Sequence, residues 1–278
     1  MLMGMGAALA RAEALAEKLE ALLALERFAE AQAVAVAAVA ADPDDAEARH
    51  YAGLALLGQN KPEEALPYLA KAVALAPTSR NHVSLGDAYG MRLAQAPALS
   101  RPGLAKQCRA AYAKAVELDP KNVHARMAMI RYLRAAPGIA GGGPRKAWAA
   151  AVELERIDPL LSKKARADLL IDDRSYEAAH ALLAEILRGH PGDYMALFAM
   201  GRLATESGAH TDDGLAALQK CLAETPPPEQ PGHSFAHWRI GQLLEQKGDK
   251  AGAKAAYESA LKIRPGLKAA REALDKLE

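Results

Sequence analysis

Apolar positions along this chain recur at three- and four-residue spacing, and the pattern restarts every 32 to 43 residues. That spacing is the signature of a helix with one buried stripe, not of a strand. Four windows share one frame: Arg49-x-x-Ala52-Gly53-x-x-Leu56, His82-x-x-Leu85-Gly86-x-x-Tyr89, Leu197-x-x-Met200-Gly201-x-x-Ala204 and His237-x-x-Ile240-Gly241-x-x-Leu244. A second stripe follows each, written small-x3-large: Ala65 to Leu69, Cys108 to Tyr112, Ala253 to Tyr257. Prolines then close the segments at Pro43, Pro77, Pro120, Pro159, Pro191, Pro226 and Pro265. Twelve positions before them stand Ala31, Ala65, Cys108, Ala147, Ala179, Gly214 and Ala253. Five positions before stand Ala38, Ala72, Ala115, Leu154, Ile186, Cys221 and Ala260. A glycine inside a helical stripe costs about 1 kcal/mol against alanine, so its use is to let the partner helix come close. The unit is a helical hairpin, and a repeated hairpin sets the fold. The expectation is an all-α solenoid of about seven hairpins, about 75–80% helical, with no sheet. Leu267 to Leu277 reads as a capping helix, with Lys268, Arg271, Glu272, Asp275 and Lys276 for solvent.

These frames resemble the tetratricopeptide repeat family across residues 12–265, in seven units: 12–45, 46–78, 79–122, 123–159, 160–193, 194–228 and 234–265. The match is specific in the second, third and seventh units; the fourth and fifth carry Ile130 and Ala167 where the glycine is expected. The resemblance implies a right-handed superhelix whose first helices line a concave groove, and a scaffold binding a protein or peptide there. Groove positions in this frame include His50, Leu54, Arg80, Val83, Asp87, Met127, Arg131, Arg134, Phe198, Arg202, Trp238 and Gln242. Apolar anchors mixed with arginines suit an extended peptide with an acidic group. Family members that clamp chaperone carboxylates use lysines and asparagines; His50, Leu54, Val83, Asp87, Met127 and Arg131 at the corresponding positions argue against that activity. The stretches 136–142 and 103–106 also resemble a group of exported bacterial tetratricopeptide proteins of undefined function.

Two hairpins are longer than the rest. The excess lies at 92–106 and 135–145, at equivalent points of adjacent units, so the two loops are expected to be neighbours. Insertions on one edge often mark a binding face, although loop growth is also thermodynamically cheap. Charge gathers in the same region. Residues 88–152 hold eleven lysines and arginines against Glu117 and Asp119, or +9 in a chain whose total is +1. Long-range attraction of an anionic partner is the functional consequence; solvated helix faces are the plainer one. The candidate partner-binding residues are therefore Arg80, Asp87, Arg92, Met127, Arg131, Arg134, Arg145, Phe198, Arg202 and Trp238. The alternative is a receptor for a small anionic ligand or anionic polymer at a basic site formed by the two loops. Aromatics make up only 5% of the chain, too few for a base-stacking surface, so nucleic acid is disfavoured.

Little else points to chemistry. No catalytic motif stands out, and no cofactor or metal site is expected. His233 and His237 lie four apart but no third ligand follows at zinc-like spacing. Gly141-Gly142-Gly143-Pro144-Arg145-Lys146 lacks the spacing of a phosphate loop. Cys108 and Cys221 occupy small-residue packing positions and read as buried thiols. No apolar run is long enough to span a membrane. Met1 to Ala10 is apolar, and Ala10-Arg11-Ala12 has the form of a signal-peptidase site, without a basic start. Residues 1–11 therefore read either as a signal-peptide remnant or as the first turns of a helix. Export to the periplasm is slightly favoured, with a cytoplasmic location as the alternative.

Overall fold

A computed structural model describes residues 2–227 and 231–277, with side chains from residue 13 onward. The Ala10-Arg11-Ala12 motif lies outside the residues whose side chains are described. All regular structure among the described residues is helical. Fifteen α-helices follow one another: α1 Leu2–Ala24, α2 Phe28–Ala41, α3 Ala46–Gly58, α4 Pro62–Leu75, α5 Ser79–Gln95, α6 Arg101–Leu118, α7 Val123–Ala135, α8 Pro144–Leu154, α9 Pro159–Asp172, α10 Tyr176–Gly189, α11 Tyr194–Ser207, α12 Thr211–Cys221, α13 His233–Gln246, α14 Lys250–Ile263 and α15 Lys268–Leu277. Short 3-10 turns at Ala98–Ser100 and Gly138–Ala140 occupy the two long loops. No described helix is long and apolar enough to cross a membrane.

Local chemistry sets the helix ends. The side chains of Asp45, Thr78, Asn122, Asp158, Asp193 and Asp249 each accept a backbone N–H in the first turn of the helix that follows. Each such cap stabilises its helix by about 1 kcal/mol. Between the helices of several hairpins a single left-handed residue reverses the chain, as at Asn60, Arg174 and Gly248.

Packing follows the small-x3-large frame. All seven small residues twelve before the prolines are buried. At Gly86 the ring of Tyr112 lies so close that a Cβ would enter it, and Gly241 stands in the same relation to Tyr257. Gly53 and Gly201 receive Leu69 and Leu218 in the same way. In the first hairpin the sizes are exchanged, with Leu19 and Ala35 sharing one buried cluster. Close-packed interiors tolerate such exchanges when volume is conserved. Cys108 and Cys221 are buried free thiols. At the far end Leu267, Ala270 and Leu274 cover Tyr257 and Leu261, while Lys268, Arg271, Glu272, Asp275 and Lys276 face solvent.

The chain divides into two compact units, residues 1–150 and 151–278, with the division inside α8. Within the first unit α1, α3, α5 and α7 touch in succession; within the second, α9, α11 and α13 do. In each unit the first helices of the hairpins thus form one continuous layer, the layer that the family resemblance sets on the inner side.

Candidate interaction surfaces

The inner layer of the first unit is built around paired arginines. Arg80 on α5 reaches Glu47 of α3 at 3.4 Å and Glu20 of α1 at 3.8 Å, with its guanidinium 5.0 Å over the Tyr51 ring. The Tyr51 hydroxyl donates to Glu20 Oε1 at 2.8 Å. Burial works against the Arg80 charge, but Tyr51, Glu47 and Glu20 outweigh it and raise its pKa. Arg131 on α7 lies 3.6 Å from Asp87 on α5, which also accepts from the Tyr112 hydroxyl at 2.6 Å. Met127 is buried beneath this layer, and Arg134 is half-buried on α7. Arg92 turns elsewhere, to Glu63 at the start of α4, at 3.1 Å. Arg145 is exposed on α8. His50, read from the sequence as a groove position, is only 2% exposed.

Both 3-10 turns contact α6, so the two long loops sit on a common helix. Much of the local positive charge is used to hold them. Arg101 Nε donates to Ala96 O at 3.0 Å and Lys146 Nζ to Gly141 O at 3.2 Å. The Arg109 guanidinium lies against Gly141, whose φ of 84° suits glycine. Tyr132 adds a hydroxyl bond to Ala140 O at 2.7 Å. The turns share a plan, Ala96-Pro97-Ala98-Leu99 and Ala136-Pro137-Gly138-Ile139. Leu99 is 95% exposed and Ile139 100% exposed. Two bare aliphatic tips were not anticipated from the sequence, although the repeated Ala-Pro-x-aliphatic string was there to be read.

The inner layer of the second unit joins Arg202, Phe198 and Trp238 through a residue that the sequence frame did not single out, Arg239. Arg202 on α11 binds Asp168 at 3.0 Å, Asp172, and Glu206 at 2.9 Å. Burial opposes its charge, and the bond to Glu206 with the fields of Asp168 and Asp172 overrides that and raises its pKa. Arg239 on α13 lies 5.6 Å over Phe198 and 5.3 Å over Trp238, and donates to Thr205 Oγ1 at 2.5 Å. Its burial lowers its pKa to about 10, with Glu206 resisting the shift and Arg202 adding to it. Two buried polar atoms here have no hydrogen-bond partner, Arg239 Nε and Gln242 Oε1. A buried unsatisfied group of this kind costs about 1–3 kcal/mol. His233 Nε2 pairs with Glu224 O at 2.9 Å, and burial, then His233, lowers the pKa of His237.

A family model of the tetratricopeptide repeat matches residues 16–80 and 164–229, and a second model of the same repeat matches residues 236–266. No curated protein matches the chain in sequence. Among solved structures, a tetratricopeptide repeat protein from Parabacteroides merdae is similar at a TM-score of 0.60 and 15% identity, over 95% of this chain and 97% of that one. Yeast Tom70 is similar at 0.59 and 14% identity, over 91% of this chain and 51% of Tom70. A chain of the APC/C hetero-tetramer Cut9–Hcn1 is similar at 0.58 and 15% identity, over 95% and 48%. The chain thus spans about half the length of the last two. With its hairpins, its glycine-to-large-residue packing and these matches over more than half its length, the chain belongs to the tetratricopeptide repeat family.

Proposed function

We propose that this protein is a non-catalytic scaffold that holds an extended segment of a protein partner against the inner layer of its second unit. The observation that carries this reading is the Phe198–Arg239–Trp238 stack beside two unpaired buried polar atoms. With the Arg239 and Gln242 side chains turned outward, a peptide main chain offers a carbonyl to Arg239 Nε and an N–H to Gln242 Oε1, and an apolar side chain packs on the aromatic faces that Arg239 vacates. Tryptophan and arginine are the residue types that most often dominate such contacts. The three carboxylates around Arg202 set this face against a strongly acidic peptide, so an acidic preference rests on the first unit, where Arg131, Arg134 and Arg145 lie.

Peptides selected from a random library against the full chain test this directly. The expected result is one-to-one binding that falls by at least about tenfold, or 1.4 kcal/mol, in Trp238→Ala and in Arg239→Gln, at unchanged helicity. Equal affinity for wild type and both variants removes the reading. The alternative, an anionic ligand at the two long loops, is supported by the contact of both turns with α6. It expects polyphosphate binding that is lost in Arg134→Glu with Arg145→Glu. Leu99 and Ile139 at the loop tips suit a protein surface better than a small anion.

A further inference from the structure

We propose that His180, His210 and Asp213 form a binding site for a divalent first-row transition-metal ion, zinc in the first instance. The three come from two successive hairpins: His180 on α10, His210 at the N-cap position of α12, and Asp213 in the first turn of α12. Their potential ligand atoms all lie within 4.8 Å of one another. The two imidazoles face each other with centroids 3.9 Å apart and planes 13° from parallel. His180 Nε2 is 3.0 Å from Asp213 Oδ2, and His210 Nε2 is 3.2 Å from Glu177 Oε1. A zinc ion takes nitrogen ligands at about 2.0–2.1 Å, so the two near-parallel rings must leave their stack and their carboxylate bonds for two ring nitrogens to meet on one ion. Two imidazoles with the Asp213 carboxylate make a mixed nitrogen–oxygen donor set, and imidazole with carboxylate suits zinc, nickel or copper over calcium or magnesium. Both histidine side chains are 23% exposed, enough for an ion to enter. His180 and Asp213 also border an open surface pocket of about 250 Å³ lined by Ala184, Leu187, Met200, Ala217 and Lys220.

The backbone differs here as well. From Gly201 to Gly214 is one residue more than from Gly53 to Ala65 or from Gly241 to Ala253. The extra residue gives this hairpin a second left-handed position, at His210, with φ 56° and ψ 32°. L side chains adopt that conformation at a cost. His210 does not offset it by capping the helix, since its side chain makes no cap bond; it turns to His180 and Glu177 instead. The competing explanation is two histidine–carboxylate pairs that merely tie α10 to α12. The separating experiment is a zinc titration of untagged, chelator-treated full-length protein against a chromogenic chelator, at about pH 7.5, where free histidine is neutral. The expected result is one equivalent bound, with visible absorption on cobalt substitution. Affinity should fall at least about tenfold in His180→Asn and in His210→Asn, while His233→Asn with His237→Asn leaves it unchanged. Asp213→Asn, conserving size, serves as a further ligand test should either histidine variant melt early. No saturable binding by the wild type, or equal binding by folded His180→Asn, His210→Asn and Asp213→Asn, overturns the site.

Discussion

One carbon added at Gly86 meets the ring of Tyr112, which cannot swing aside while its hydroxyl holds Asp87. Gly86→Leu should therefore overpack the hairpin and cost about 1–3 kcal/mol, read as a lower melting temperature. Gly103 gives the contrast, because nothing lies within 4 Å of its Cβ position in the first turn of α6. Gly103→Ala should leave stability unchanged or raise it by up to about 1 kcal/mol. The buried cysteines give a chemical test. Burial, followed by the field of Asp87, pushes the Cys108 thiol up to about 12. Burial, opposed by a bond to Tyr194 and aided by Glu224, pushes Cys221 up to about 11. The thiolate is the reactive form, so a thiol reagent at mildly alkaline pH should label neither residue until denaturant is added. Prompt labelling of the native chain would contradict the packing described.

At the scale of the element, α15 is held by Ala270 and Leu274, with Leu267 just before it and Ala273 and Leu277 partly buried, in one cluster with Tyr257 and Leu261 of α14. A chain ending at Pro265 should lose stability and self-associate, as light scattering and size-exclusion chromatography would report; terminal repeats need a polar outer face. An equally stable, monodisperse truncation would show that α15 covers nothing of consequence. The hairpins, the cap and the glycine contacts were legible in the sequence because their partners lie within one hairpin. Gly241 and Tyr257 are on adjoining helices, and their periods announce them. Contacts between hairpins carry no local period. Glu47 with Arg80, Asp168 with Arg202, His180 with Asp213 and Glu177 with His210 are separated by 33 or 34 residues. Complementary groups one repeat length apart were the signal available, and it would have brought these pairs forward. Arg239 was hidden for another reason: it adjoins Trp238 in sequence, and only the packing of α13 on α11 shows that Arg239 also reaches Phe198.

At the scale of the whole molecule, two histidines tie stability to pH. Burial, reinforced by Lys114, holds His82 below the usual histidine range, and burial, reinforced by His233, does the same to His237. Because the folded pKa is the lower one, the unfolded chain takes up the proton first. Their contribution is complete above about pH 6.5 and drains away as pH falls through that value and on through the folded pKa. Melting temperature should fall between neutral and mildly acidic pH, and His82→Gln with His237→Gln should flatten the fall; an unchanged slope would refute the assignment. Stability here is also a sum of neighbouring terms. Hydrogen exchange in Gly86→Leu should therefore quicken in α4 to α7, while α13 and α14 keep their protection. The glycine-to-large-residue pairs have a wider meaning. Each fit is completed inside its own hairpin: Gly53 with Leu69, Gly86 with Tyr112, Gly201 with Leu218, Gly241 with Tyr257. A hairpin copied or excised whole carries its own lock and key with it. An array built this way can lengthen or shorten by gene duplication and loss in single steps, with the interior already solved, leaving outward residues such as Leu99 and Ile139 as the parts that natural selection can rewrite one copy at a time.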